Sequence, residues 1–468
     1  MSALGKLQKL FGGAGPRPPI RVLAASGQLG YGIPEIALEA GFARKPHVIA
    51  ADMGSVDPGP TYLGSGKMAT SPAMVKRDLG LVLEGTRRLD APLLIGSAGT
   101  AGTNKQLNEV AALIREVAFE KKLHFKLALI QGEIPKDRII KAIDDAKTTP
   151  IGAIDDLDHD TVAKAENIVG QMGMEAFARA LESGADVVLA GRACDTAPFA
   201  VIPCLLGFPA ALAMHMAKII ECSSICCAPG GRDAMLGTLD DEGFELESMN
   251  PARAATPLSV AAHALYEQAD PYSFAEPEGV LHLNSASYET IDERTTRVTG
   301  ARWKPASLPS VKIEGAQRLG ERAVMLAAAA DPRFIEQIDD ILRAVETTVR
   351  QVLPPASAPF TLHFRRYGID GVVDWPTAAV VAPREIFLLA ECLAETADEA
   401  KSILGVVRQH LLHHGFEGRL STGGNLAFPI TPPELDAGTA YKFSIYHIME
   451  LENKDELCAL FPISCEDI

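Results

Sequence analysis

A small set of residues has types and spacing suited to acid–base chemistry. In AADMGSVDPGPTYLGSG (residues 50–66) Asp52 closes an apolar run and Asp57 follows it, in a loop that also holds four glycines and two prolines. Two carboxylates on one rim bind a hard cation or act as acid and base. Each also has a plain structural use: Asp52 as a helix cap, Asp57 as an Asx turn before Pro58. GRACD (191–195) ends another apolar run. Its Arg192 suits a bidentate carboxylate contact, and its Asp195 suits orienting that arginine or, with Asp52 and Asp57, a divalent metal ion. Equally, Arg192 and Asp195 can simply pair with each other.

A third group lies in PAALAMHMAKIIECSSICCAPGGRD (209–233). On a helix, His215, Lys218 and Cys222 share one face and Glu221 flanks Lys218. Charged side chains in so apolar a segment need partners and tend to titrate abnormally, so Lys218, Glu221 and Cys222 are candidates for acid, base or nucleophile. The alternative is a structural ion pair beside inert buried thiols. GSAGTAGTN (96–104) joins a strand to a helix. Gly96, Gly99, Thr100 and Gly102 are candidates to present backbone amides to a phosphate or carboxylate, and the alternative is a tight turn with glycines chosen for backbone angles. Neither the dinucleotide fingerprint nor the P-loop spacing is present. Ser26 and Gly27 open a weaker glycine loop, SGQLGYG, and Asn425 lies in STGGNLAFPITPPE, a candidate second-domain contact or lid. His413 and His414 suit a helix C-terminus, and His447 a half-buried strand position.

The elements that must position these residues follow from hydrophobic pattern. Residues 20–27, 47–54, 91–99, 125–133 and 185–195 each read as a short buried strand ending in glycine and polar residues, separated by stretches with helical spacing. This predicts an α/β domain over 20–285, mostly a parallel sheet with covering helices, whose five loops meet at the carboxyl rim. Residues 1–19 form an N-terminal extension. From 286 to 468 the order β-α-β-β-α-β predicts a ferredoxin-like α+β domain.

Composition bounds the partners. The 468 residues are 47% hydrophobic and carry a formal net charge of −16, which disfavours nucleic acid and points to a small molecule. With no membrane-spanning stretch and no signal-peptide pattern, a cytoplasmic protein is expected. Eight cysteines in this length are too few for a disulfide scaffold.

Taken in order, ADMGSVDPGPTYLGSG, AGRACD, KIIECSS, RLSTGGNLAFPITPPE and YKFSIYHIMEL resemble the acyclic terpene utilisation AtuA family, over about residues 20–450. The resemblance implies bacterial catabolism of branched acyclic acids through coenzyme A thioesters. It carries no residue roles. Together these readings predict a lyase or hydratase acting on a carboxylate or its acyl-CoA thioester, the CoA moiety being part of the substrate, in a homo-oligomer. The alternatives are a metal-dependent hydrolase and a non-catalytic ligand-binding subunit.

Overall fold

The computed structural model describes residues 2–13, 16–266, 270–354, 359–373 and 383–468. The chain forms two compact units, Met1–Gln317 with Phe443–Ile468, and Arg318–Lys442. In the first unit, β1 (Ile20–Ser26), β2 (Val48–Asp52), β3 (Leu93–Gly96), β4 (Lys126–Ile130) and β5 (Val187–Ala190) lie parallel in the order β1-β2-β3-β5-β4. These are the five strands legible in the sequence. Their apolar residues point both ways because helices cover both faces, giving two core layers, one including Val22, Val48 and Val188 and the other Leu23, Ile49 and Val187.

The sheet is mixed, where a mostly parallel one was expected. Beyond β1 it continues antiparallel through Met235–Leu239, Phe244–Ser248, Thr295–Thr299 and Ser287–Thr290, and beyond β4 through Ile463–Asp467. Met235–Leu239 joins Phe244–Ser248, and Ser287–Thr290 joins Thr295–Thr299, by short turns, which antiparallel pairing permits and parallel crossover does not. The N-terminal stretch also contributes: helix Ala3–Phe11 buries Leu4, Leu7 and Phe11 against the same core, with Phe11 edge-on to His47 and Phe208.

The sheet edge matters less for the site than the returns of the chain. Strand Ser310–Ala329 begins in the first unit, where Ile313–Gln317 pairs antiparallel with Ala165–Gly170. Strand Glu434–Glu450 ends there, with His447–Met449 against Thr148–Pro150. In the second unit, Glu321–Ala329 pairs with Ile386–Ala394 and that strand with Thr361–Tyr367, all antiparallel. Helices Ile338–Val352 and Ala397–Leu412 close its core on Met325, Leu388, Val345 and Leu404. Among the described residues the element order there is strand, short helix (Pro332–Glu336), helix, strand, strand, helix, strand. No helix of the described residues is long and apolar enough to cross a membrane.

Candidate active site

Parallel strands present their carboxyl ends on one rim, and there a cleft of about 160 Å³ opens. β1 delivers Ser26 and Gly27, β2 ends on Asp52, and the turn after β5 carries Arg192 and Asp195. Helix Ala210–Ile220, apolar on nearly every side and therefore buried, ends at Glu221, with Cys222 next in the lining. Thus Ser26, Gly27, Asp52, Asp57, Arg192, Asp195, Glu221 and Cys222 meet in one cavity, joined by Tyr31, Arg232 and Tyr266. Gly27 is required for this closeness: a Cβ there would lie 2.4 Å from the Glu221 carbonyl oxygen and 2.7 Å from the Cys222 Cα.

The loop after β1 is held by a buried carboxylate. Asp78 accepts backbone N–H bonds from Gly30, Gly32 and Ile33, each at 3.0 Å, and so sets the wall that carries Tyr31.

Charge in the cleft is organised around Arg192, which is 4% exposed. Its Nε donates to Glu314 at 2.9 Å and its Nη1 to Ser97 Oγ at 3.4 Å. Glu314 also lies 2.9 Å from the Lys312 ammonium. Burial works against the Glu314 charge, yet Arg192 and Lys312 outweigh it and hold the carboxyl down at about 2. Arg192 is likewise opposed by burial and held above its ordinary value by Glu314, Asp195 and Asp52. Because Glu314 takes the Nε edge, the bidentate grip expected of Arg192 is reduced to its remaining edge.

Asp52 is in the opposite situation. One oxygen accepts the Gly54 N–H at 2.8 Å, while Oδ1 is buried without a hydrogen-bond partner. Burial first, then the neighbouring Asp195, pushes its carboxyl up to about 8, with Arg192 opposing. Glu221 is raised to about 8 by burial, with Lys218, 2.7 Å away, opposing and Asp195 adding. Two carboxyls poised near neutrality in one cleft form an acid–base set.

Among the described residues no group of three His, Cys, Asp or Glu side chains is arranged to hold a metal ion; Asp52, Asp57 and Asp195 all line the cleft. Asp57 is exposed at the mouth, on a loop that carries it away from β2. Cys222 lines the cleft with its thiol pushed well above the usual range by burial, then by Glu221, which disfavours the thiolate a nucleophile needs. In the Gly96–Gly102 turn, Thr100 N–H donates to the Ser97 carbonyl and Gly102 N–H to that of Ala98, while the Ser97 and Ala98 N–H groups donate to the Gly191 and Ala190 carbonyls. The turn needs its glycines for backbone shape and proximity; a Cβ on Gly102 would lie 2.1 Å from the Arg192 nitrogen. Thr100 lines only a small adjoining hollow beside Arg192 and Glu314. Asn425 belongs to the second unit, where its side-chain amide donates to the His414 carbonyl. His215 is a core residue between Phe244 and Tyr288, and a ring nitrogen of His447 lies 3.0 Å from the Asp155 carbonyl oxygen.

Sequence reasoning missed Glu314, Lys312, Tyr266 and Arg232. For Glu314 and Lys312 a faint signal existed, since SVKIEGA places both within an otherwise buried strand. Nothing local linked them to Arg192, 122 positions from Glu314.

The fold and site define an α/β protein with a second α+β unit and a buried acid–base cleft at the carboxyl rim of its parallel strands. The family model described as acyclic terpene utilisation family protein AtuA matches residues 90–244 and 249–428. The chain belongs to this family. No match was found among curated proteins or among solved structures.

Proposed function

We propose that the protein serves the utilisation of acyclic terpenes as a lyase or hydratase acting on a branched carboxylate or its coenzyme A thioester. The observation that carries this reading is that Asp52 and Glu221 face one cleft with both carboxyls raised to about 8. In the dehydrating direction, the ionised form of Glu221, a minority at pH 7 that Lys218 stabilises, takes the proton α to the carbonyl. The carbon–carbon double bond forms as the β-hydroxyl departs, leaving as water with the proton held by Asp52. Arg192 and Arg232, both in the lining, provide positive charge for the carbonyl or carboxylate end. A thioester would place its nucleotide outside the cleft, near exposed Tyr31 and Arg232. Asp195, in the same lining, tunes both carboxyls by its charge.

We read the second unit as ferredoxin-like from its element order, and expect a cytoplasmic homo-oligomer, which light scattering after gel filtration would show. The test of the chemistry uses β-hydroxy acids and their CoA thioesters in D₂O, followed by NMR. Asp52→Asn and Glu221→Gln should each lower turnover about 10²–10⁴-fold, the usual share of a general acid or base. Exchange of the α-proton should survive in Asp52→Asn and vanish in Glu221→Gln. Full exchange and turnover in both variants would refute the reading.

A further inference from the structure

A second compartment, of about 620 Å³, adjoins the cleft at Asp195 and Glu221, which are common to both linings. We propose that this compartment receives the hydrocarbon end of the ligand whose carboxyl or thioester end is worked on in the cleft. The proposal rests on the acid–base reading of the cleft and adds where the rest of the molecule goes.

Volume gives the first reason. Sites that enclose a drug-sized ligand measure roughly 300–1,000 Å³. The cleft, at about 160 Å³, holds only a reacting fragment, whereas the second compartment falls within that range. A ligand that fills both passes Asp195 and Glu221, which sets its reacting carbons between them.

Chemistry gives the second. Ile151, Phe274, Ala275, Pro277 and Ile448, with the ring of Tyr446, supply an apolar wall. Its two lysines are already engaged: Lys218 Nζ donates to Glu221 at 2.7 Å, and Lys312 Nζ to the Tyr446 hydroxyl at 2.9 Å while it lies 2.9 Å from Glu314. Glu276, 9% exposed, is bonded to the Thr196 hydroxyl and pushed up to about 8 by burial, so it is mostly neutral at pH 7. The arginines lie in the cleft. Charge therefore orients the ligand with its anionic end in the cleft and its hydrocarbon end in the larger compartment.

The probes are straight-chain alkanoates from acetate to decanoate, titrated calorimetrically into the full-length protein. Wild type should bind them with affinity rising about fourfold per added methylene until the compartment is full. Ile448→Trp fills the wall from a strand. Ala275→Trp fills it from an exposed position where the larger ring is accommodated, so at least one variant keeps the fold, checked by circular dichroism. In a folded variant the dependence on chain length should flatten, with acetate affinity unchanged. No binding, a flat wild-type series, or an unchanged slope in a folded variant overturns the proposal. Failure of the acid–base reading is separable: it appears as chain-length-dependent binding that tryptophan blocks, with no turnover or α-exchange on the hydroxy acids and thioesters.

Discussion

Replacing Asp52 by asparagine should make the protein more stable, and increasingly so as pH rises. Asp52 is 2% exposed, and its folded-state carboxyl is raised from 3.8 to about 8. Between those values the native state holds a proton that the unfolded state has released, so stability falls as pH climbs through this window and levels off above the folded value. At about 1.36 kcal/mol per pH unit, the roughly three units from 3.8 to neutrality amount to about 4 kcal/mol at pH 7. Asparagine does not titrate and avoids this loss. It keeps the acceptor for the Gly54 N–H but puts an unpartnered amide where the unpartnered Oδ1 was, at a cost of about 1–3 kcal/mol. The net gain at pH 7 is about 1–3 kcal/mol. Urea unfolding of both proteins at pH 5, 6, 7 and 8 should show a midpoint difference that favours the variant and widens with pH. A constant difference, or a variant destabilised equally at every pH, would mean that Asp52 is an ordinary ionised structural carboxylate and would remove the acid from the proposed chemistry.

Glu314→Gln should destabilise the first unit by about 3–5 kcal/mol at pH 7, because it leaves Arg192 buried without its counter-ion; an unchanged urea midpoint would refute that pairing. The wild-type contribution of Glu314, whose carboxyl is held down at about 2, is present above the unfolded value near 4.5 and is lost as pH falls toward 2. Cys222 should resist iodoacetamide at pH 8, read by mass spectrometry of the peptide, and Cys222→Ala should retain turnover; rapid alkylation would restore it as a nucleophile candidate. Gly27→Ala should cost about 1–3 kcal/mol and displace Glu221, because the added Cβ meets backbone rather than a movable side chain, and a normal melting curve with full activity would contradict the close packing of the β1 end against that helix end.

Much of the first unit was legible because a strand buried on both faces leaves a continuous apolar run that ends abruptly. LAAS, IAAD, LLIG, LALI and VVLA each do so; two of these strands end on Ser26 and Asp52, and the loops that follow hold Gly27, Arg192 and Asp195. The direction of the flanking strands was not legible, since alternation reveals a half-buried strand but not its neighbour. The glycine turn at residues 96–102 has the composition of an anion site, yet its Thr100 and Gly102 amides close the turn, and sequence does not tell a free amide from a satisfied one. Asn425, from a loop of the same glycine-rich character, serves the second unit's own helix end.

By itself the sequence determined which residues end the five buried strands, because burial on both faces and strand termination are local properties of composition and period. It also determined that Lys218 and Glu221 are neighbours one helical turn apart. Only the tertiary structure decided that Glu314 pairs with Arg192, that Asp52 and Glu221 share a cleft, and that the Cys222 thiol is raised by burial. Those outcomes depend on through-space burial and charge between segments far apart in the chain, and no local pattern encodes them.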